Sequence, residues 1–404
     1  MTWLAALLAV VWGGHALFGR QWRIAPRLDR RETLAVERTR VVAVVPARNE
    51  AVELPRTLPS LFAQEPPLEV ILVDDHSTDG TPDVARRIAA AHDAAERLTV
   101  LTAPDLQAGW TGKVWAQQQG VEAAIARDAA WIWLTDADVA HGRGVLARLL
   151  AKGHRDARDL VSVMARLRCD TGWEKLLIPA FTYFFATLYS FEGTRDDRAR
   201  TAGAAGGCIL VRRTLLERVG GMRAIRDAVI DDCSLARAAK DAGGRLWLGY
   251  DAGVRSTRGY PTLAAIWDMV ARSAYTQLRL SPLMLLCCML GLGFVFLLPM
   301  FAVAMGPLPA RLLAAAAYVA MVRTYAPMVR WLGCGRLWAL ALPVSATLYT
   351  AMTISSAWRH LRGVGAAWKG RTYGTPPPRA IPVVAAERAA AQSEPSRLTS
   401  GRPS

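Results

Sequence analysis

Cysteine and acidic residues are both scarce in this chain. Its 404 residues include 6 cysteines, Cys169, Cys208, Cys233, Cys287, Cys288 and Cys334. No two make a Cys-x-x-Cys pair, which argues against a disulfide framework or a zinc site and fits a reducing cytosolic setting. Only 34 Asp+Glu face 49 Lys+Arg, a net charge of +15. Such a balance is one mark of a nucleic-acid binder. Yet there is no zinc finger, recognition helix or aromatic-basic motif, so no nucleic acid is expected as partner. The basic residues stand instead beside apolar runs, as expected for attraction to anionic lipid headgroups.

Apolar residues are abundant, 52% of the chain, and gather at its two ends. Thr2 to Phe18 is almost uncharged and close to the shortest length that spans a bilayer. Arg20, Arg23, Arg27, Arg30 and Arg31 follow it. That order is wrong for a cleaved signal peptide, whose charges precede its apolar core, and favours an anchor with the following chain in the cytoplasm. Near the other end, Leu283 to Met305 and Leu337 to Trp358 are long enough to cross. Between them Leu312 to Leu332 carries Arg323, Arg330 and Pro327, and is open to three readings: a third span, a re-entrant segment or an interfacial helix. Arg359, Arg362, Lys369 and Arg371 follow the last run. By the positive-inside rule this favours two full crossings after the central region. The expected organisation is an anchor over 1–19, a basic juxtamembrane linker over 20–40, a catalytic domain over 41–280, a membrane block over 281–358 and a basic, disordered tail over 359–404.

The central region alternates strand and helix signals. Val41 to Val45, Val70 to Val73, Leu98 to Leu101 and Trp131 to Thr135 read as strands, and Leu160 to Met164 as a later one. Helix-start residues such as Pro82 stand between them. Leu176 to Phe191, rich in Phe, Tyr and Leu, reads as a buried or interfacial helix. Strands alternating with helices predict an α/β fold with a mostly parallel, Rossmann-like sheet, whose strand ends open onto a ligand crevice.

Acidic residues sit at those ends. Asp136 and Asp138 close the fourth strand, where paired carboxylates suit a hard divalent ion shared with a phosphate; the bland reading is a helix cap and a solvated Asp. Asp74 and Asp75 close the second strand in Asp-Asp-His-Ser-Thr-Asp-Gly. Lys113, flanked by glycine in Gly109-Trp-Thr-Gly-Lys-Val-Trp115, can reach a phosphate as a point charge. It lacks the Walker spacing, so no P-loop is present. Gly206 and Gly207 precede an apolar strand, where a tight turn and close approach to a ligand are both open. Asp231 and Asp232 open a helix. The helix dipole favours them there in any case; the functional reading makes one a general base.

Pro46-Ala47-Arg48-Asn49-Glu50, Asp74 to Gly80, Asp136-Ala137-Asp138, Gly206-Gly207 and Asp231-Asp232, in this order over Val41 to Leu280, resemble a family-2 glycosyltransferase with the GT-A fold. Together with the anchor, the C-terminal membrane block and the Gly-Trp-Thr-Gly-Lys-Val-Trp stretch, the series is similar to the hopene-associated branch found in bacteria with hopanoid-synthesis genes. The resemblance implies a bacterial inner membrane, a multi-pass chain, a cytoplasmic catalytic domain and a nucleotide-sugar donor, most often UDP-linked. It assigns Pro46, Ala47, Arg48, Asn49, Glu50, Asp74 and Asp75 to the nucleoside end. Asp138, with Asp136, would hold Mg²⁺ or Mn²⁺ on the diphosphate, with Lys113 assisting. Gly206 and Gly207 would line the acceptor side, and Asp232, beside Asp231, would be the base of an inverting transfer to a lipid acceptor. Two departures stand out. Asp231 replaces the Glu of many members. No Gln-x-x-Arg-Trp motif follows; Arg272-Ser-Ala-Tyr-Thr-Gln277 stands there, which argues against processive polymer synthesis. Alternatives are transfer to polyprenyl phosphate or a polysaccharide, nucleotidyl transfer, and a non-catalytic nucleotide-sugar-binding scaffold.

Overall fold

The structure, a computed structural model, describes residues 1–20, 22–28 and 39–363, and the backbone of 367–368 and 371–372. Most of the expected linker and, from 364 on, nearly all of the expected tail lie outside the described residues.

Eight strands form one sheet: β1 (Val41–Ala47), β2 (Glu69–Asp74), β3 (Leu98–Thr102), β4 (Trp131–Leu134), β5 (Val139–His141), β6 (Leu160–Arg166), β7 (Ile209–Arg212) and β8 (Leu246–Ser256). Their order across the sheet is β3-β2-β1-β4-β7-β6-β8-β5. β3, β2, β1 and β4 are mutually parallel, and β6 and β8 are parallel to each other. β7 runs antiparallel between β4 and β6, and β5 antiparallel against β8. The sheet is therefore mixed, α/β and Rossmann-like in its first half. β1 shows why these residues form a central strand. Val41, Ala43 and Val45 enter one core, Val42 and Val44 the other. A β-branched run buried on both faces is the pattern of an interior parallel strand.

In chain order the helices are α1 (Thr2–Phe18), α2 (Leu54–Phe62), α3 (Thr81–Ala91), α4 (Gly112–Ala126), α5 (Val145–Arg155), α6 (Gly172–Leu188), α7 (Phe191–Arg195), α8 (Arg213–Val219), α9 (Asp231–Asp241), α10 (Leu263–Ala271), α11 (Ala274–Gln277), α12 (Pro282–Leu292), α13 (Leu298–Met305), α14 (Leu308–Trp331) and α15 (Leu342–Leu361). A π-type turn over Gly293–Leu297 joins α12 to α13.

Among the described residues, three stretches are long and apolar enough to cross a membrane: Pro282–Met305, Leu308–Trp331 and Arg336–Leu361. Sequence favoured the first and third as spans and left the second open. The contacts order them differently. α14 lies along α1: Leu8 and Trp12 share a core with Met321 and Tyr325, and Ala5 packs with Ala310 and Ala314. The far end of α14 returns to the sheet, where Trp331 meets Tyr250 of β8 edge-on at 5.1 Å. α15 instead bonds to sheet-side helices along its length. Ser345 Oγ donates to the Leu176 carbonyl at 2.8 Å and Tyr349 Oη to that of Leu177 at 2.9 Å. The Tyr275 amide donates to Ser356 Oγ at 3.0 Å, and Arg359 pairs with Asp268 at 2.7 Å. α6 is buried between these groups, as expected from its sequence.

Candidate active site

The parallel strands bring their carboxyl ends level. The Asp75 amide donates to the Ala47 carbonyl at 2.8 Å and the Thr135 amide to that of Val44 at 3.2 Å. The antiparallel course of β7 then decides the site. Its first residue, Ile209, lies opposite Leu134, the last of β4, so the loop before β7 arrives where β4 ends. Thr135 Oγ1 donates to the Gly207 carbonyl at 2.9 Å.

Around this edge the charged groups interlock. Lys113, in the first turn of α4, sets its ammonium 2.8 Å from Asp136 and 3.1 Å from Asp231. Gln117, one turn on, donates to Asp231 at 3.2 Å. Asp232 accepts from the Gly206 amide at 2.9 Å and the Cys233 amide at 2.7 Å. Gly206 has no room for a side chain without crowding: a Cβ there would stand 3.3 Å from Asp232 Oδ2 and 3.5 Å from Lys113 Nζ. Gly207 is different. Its missing Cβ would meet Val139 Cγ2 at 2.9 Å, so it serves packing against β5 and does not face the carboxylates.

Burial works against the charged lysine, but Asp136 and Asp231 outweigh it and hold the ammonium well above its ordinary pKa. Burial, and then the charge of Asp231, push Asp232 up to about 6 against the pull of Lys113. Asp136 is pushed up mainly by burial, with Lys113 opposing; its side chain is still 31% exposed, so water relieves part of that push.

Asp138 faces a cation that no sequence motif marks. Arg258, just past β8, pairs through Nε with Asp138 and through Nη2 with both Glu50 oxygens, at 2.8 and 2.7 Å. Its loop is pinned on both sides. The Thr257 amide donates to the Asp138 carbonyl at 2.8 Å, Thr257 Oγ1 to Glu53 at 2.6 Å, and the Tyr260 amide to Glu174 at 2.6 Å. Glu174 is the capping-box residue of α6. No local motif marks Arg258, because only the pairing of β8 with β5 carries it to Asp138. Gln117 belongs to no motif either, although one helical turn from Lys113 places it on the same face.

The nucleoside-end candidates form a braced double loop. Pro46 and Ala47 end β1, in register with Val73 and Asp74. Arg48 donates to the Asp75 carbonyl and lies 3.7 Å from its carboxylate. Asn49 is held at φ 52, a left-handed conformation Asn tolerates, while its side chain accepts from the Thr78 amide at 2.8 Å. The Glu50 amide donates to Thr81 Oγ1 at 2.9 Å, and Asp74 accepts from the Ser77 amide at 3.2 Å. Asp75 is fully buried at the base. His141, also buried, bonds Thr135 Oγ1 at 2.8 Å; burial lowers its pKa to about 3, so it is a neutral structural group.

A sheet of this order with carboxylates at its strand ends defines a GT-A-type fold. Residues 42–220 match the model of the family described as glycosyl transferase family 2. A 4,4'-diaponeurosporenoate glycosyltransferase of Staphylococcus aureus (strain bovine RF122 / ET3-1) is 31% identical over 144 residues, 34% of this chain and 34% of the relative. The same-named protein of strain USA300 matches to the same extent. The chain thus spans about a third of the length of these curated relatives. Among solved structures, a complex described as mannosyltransferase PcManGT from Pyrobaculum calidifontis with GDP-Man and Mn²⁺ aligns with a TM-score of 0.53 at 22% identity, over 89% of this chain and 98% of that one. That similarity extends the shared fold past the sheet into the apolar helices.

Proposed function

We propose that the protein is a membrane-bound, inverting glycosyltransferase that moves a sugar from a nucleotide sugar to a lipid acceptor. One observation carries this reading. Residues far apart in sequence, Lys113, Asp136, Asp138, Asp231 and Asp232, meet at one edge of a GT-A-type sheet. Lys113 and Arg258 offset part of the negative charge gathered there, and the rest is costly without a task or a further cation.

Each group has a role its position supports. The loop from Ala47 to Glu50, with Asp75 beneath it, receives the nucleoside. Asp138 and Asp136 would hold Mg²⁺ or Mn²⁺: two hard carboxylate donors fit such an ion when diphosphate and water complete its shell. Among the described residues no group of three or more His, Cys, Asp or Glu side chains is placed to hold a metal ion, so these two carboxylates would hold one only together with substrate oxygens. Bound there, the ion would stabilise charge developing on the departing diphosphate. Lys113 offers that leaving group a fixed positive charge. Asp232, its pKa near the working range and its orientation fixed by two amides, takes the proton of the attacking acceptor hydroxyl. Attack from the face opposite the diphosphate inverts the anomeric carbon.

The apolar helices support a lipid acceptor, and the named relatives support one in kind. A UDP-linked donor, and a hopanoid rather than another lipid as acceptor, belong to this proposal through the sequence resemblance. In our reading α1, the α12–α13 stretch and α14 cross the bilayer, while α15 lies along the sheet-side helices. Two crossings after the sheet then return the chain to the cytoplasmic side, and Arg323 and Arg330 fall toward that side, where long side chains reach water.

The test uses the full chain in membranes with nucleotide sugars labelled separately in sugar and nucleotide. Sugar label in a lipid product supports the reading; nucleotide label there establishes nucleotidyl transfer. Neither label in product, with nucleotide sugar still bound, leaves the scaffold. Mass spectrometry of the product lipid separates a hopanoid from a polyprenyl phosphate or a polysaccharide primer.

A further inference from the structure

A second basic site lies away from the carboxylate edge. A pocket of about 450 Å³ opens between the segment after α1 and the domain-side end of α14, lined by Trp22, Arg23, Arg27, Pro327, Arg330 and Trp331 among others. Its aromatic walls are fixed. Trp22 folds back to donate to the His15 carbonyl of α1 at 3.1 Å, and Trp331 is held against Tyr250. Its cations are less engaged. Arg27 donates to the Ile24 carbonyl at 2.9 Å, and Arg23 lies 5.4 Å from the centre of the Trp22 ring. Among the described residues no carboxylate pairs with Arg23, Arg27 or Arg330, and all three are exposed.

Three arginines sharing a concave, tryptophan-walled site without an acidic partner form an anion receptor. Guanidinium forks match phosphate oxygens in pairs. Position then selects the anion. Tryptophan rings concentrate at headgroup depth, and basic pockets at the cytoplasmic ends of spanning helices take phospholipid headgroups. We propose that this pocket binds the phosphate of an anionic phospholipid from the leaflet facing the sheet, with an acyl chain running down the exposed apolar flank of α14. This rests on the reading above that α1 and α14 cross the bilayer. Protein contacts already join both walls to Tyr250 of β8: its amide donates to the Pro26 carbonyl at 2.9 Å and its ring meets Trp331, so the bound lipid is held against the sheet. It thereby fixes the sheet's tilt on the membrane.

The full-length protein is purified in detergent and offered phosphatidylglycerol, phosphatidylcholine or inorganic phosphate, with retained lipid read by native mass spectrometry. Phosphatidylglycerol should be retained over phosphatidylcholine by about a hundredfold, the order expected for three basic residues at a membrane surface. The variant R23Q/R27Q/R330Q should lose that preference, while R23K/R27K/R330K, which keeps the charge but not the fork, should retain part of it. Equal retention of the two lipids, an unchanged preference in the Gln variant, or loss in the Lys variant as complete as in the Gln variant overturns the site. Displacement of phosphatidylglycerol by millimolar phosphate makes it a free-phosphate site and overturns the lipid assignment. Alkaline carbonate extraction is run alongside. Release of the chain from membranes overturns the crossing helices, and the lipid site with them; a chain that stays integral but shows no lipid preference overturns the lipid site alone.

Discussion

The Lys113 ammonium stands 2.8 Å from the Asp136 carboxylate, which joins the start of α4 to the end of β4. The same ammonium reaches Asp231 at 3.1 Å. One positive charge therefore sits between the end assigned to the leaving group and the end assigned to the base. Its loss should be felt at both.

Lys113→Met should lower transfer by about 10²–10³-fold, the scale for removing one preorganised group that stabilises developing charge. It should also raise the pKa of Asp232, since Lys113 pulls that pKa down. Steady-state rates across pH measure both effects. Wild-type turnover in the variant would remove Lys113 from the mechanism.

The pH profile follows from Asp232, whose pKa is pushed up to about 6. A base works only when deprotonated, so kcat/KM should fall as pH drops through about 6. Asp231 raises that pKa, and Asp231→Asn should move the acidic limb to lower pH. A limb that stays in place would show that another group controls it.

Asp232→Asn should reduce transfer by at least about 10²–10⁴-fold, the usual contribution of a positioned base, while nucleotide-sugar affinity stays within a few-fold. Calorimetry and a product assay on one preparation separate the two. Residual transfer near the wild-type level would assign the base elsewhere.

Arg258→Met strips the cation from Glu50, which is 7% exposed. Breaking a buried ion pair costs about 3–5 kcal/mol, and the partial exposure of Arg258 brings the expected loss nearer 2 kcal/mol. Adding Glu50→Gln should recover part of it. Thermal unfolding of the two single variants and the double variant closes the cycle; additive losses would mean the pair contributes nothing of its own.

Gly206 and Gly207, adjacent in sequence, should respond differently to alanine. Gly206→Ala crowds Asp232 and Lys113 and should lower transfer with little change in melting. Gly207→Ala pushes against Val139 and should cost about 1–3 kcal/mol of stability, the scale of overpacking. Activity and melting measured on both variants decide it, and the reverse pattern would exchange their roles.

Much of the fold was legible because its signals are local. The β-branched runs of β1 and β2 and the tryptophan-rich apolar run of β4, each closed by an acidic or turn residue, show where strands end. In a parallel sheet those ends share one edge, so Asp75, Asp136 and Asp138 could be grouped from sequence. The reversed β7 was not legible: Ile209 to Arg212 is an apolar strand in either direction, and its direction depends on its neighbours. The stretches Leu308–Trp331 and Arg336–Leu361 look alike by hydropathy, yet α15 differs from α14 in what it touches.

The residues by themselves determined the α/β alternation, the acidic strand ends, the apolar helices and the excess of positive charge, all properties of short stretches read one at a time. The tertiary structure alone decided that Arg258 neutralises Asp138 and Glu50, that Gly206 faces the site while Gly207 does not, and that three arginines share a tryptophan-walled pocket. Each of these joins groups set by strand order and helix packing, and a charge finds its partner through space, at distances that sequence separation does not encode.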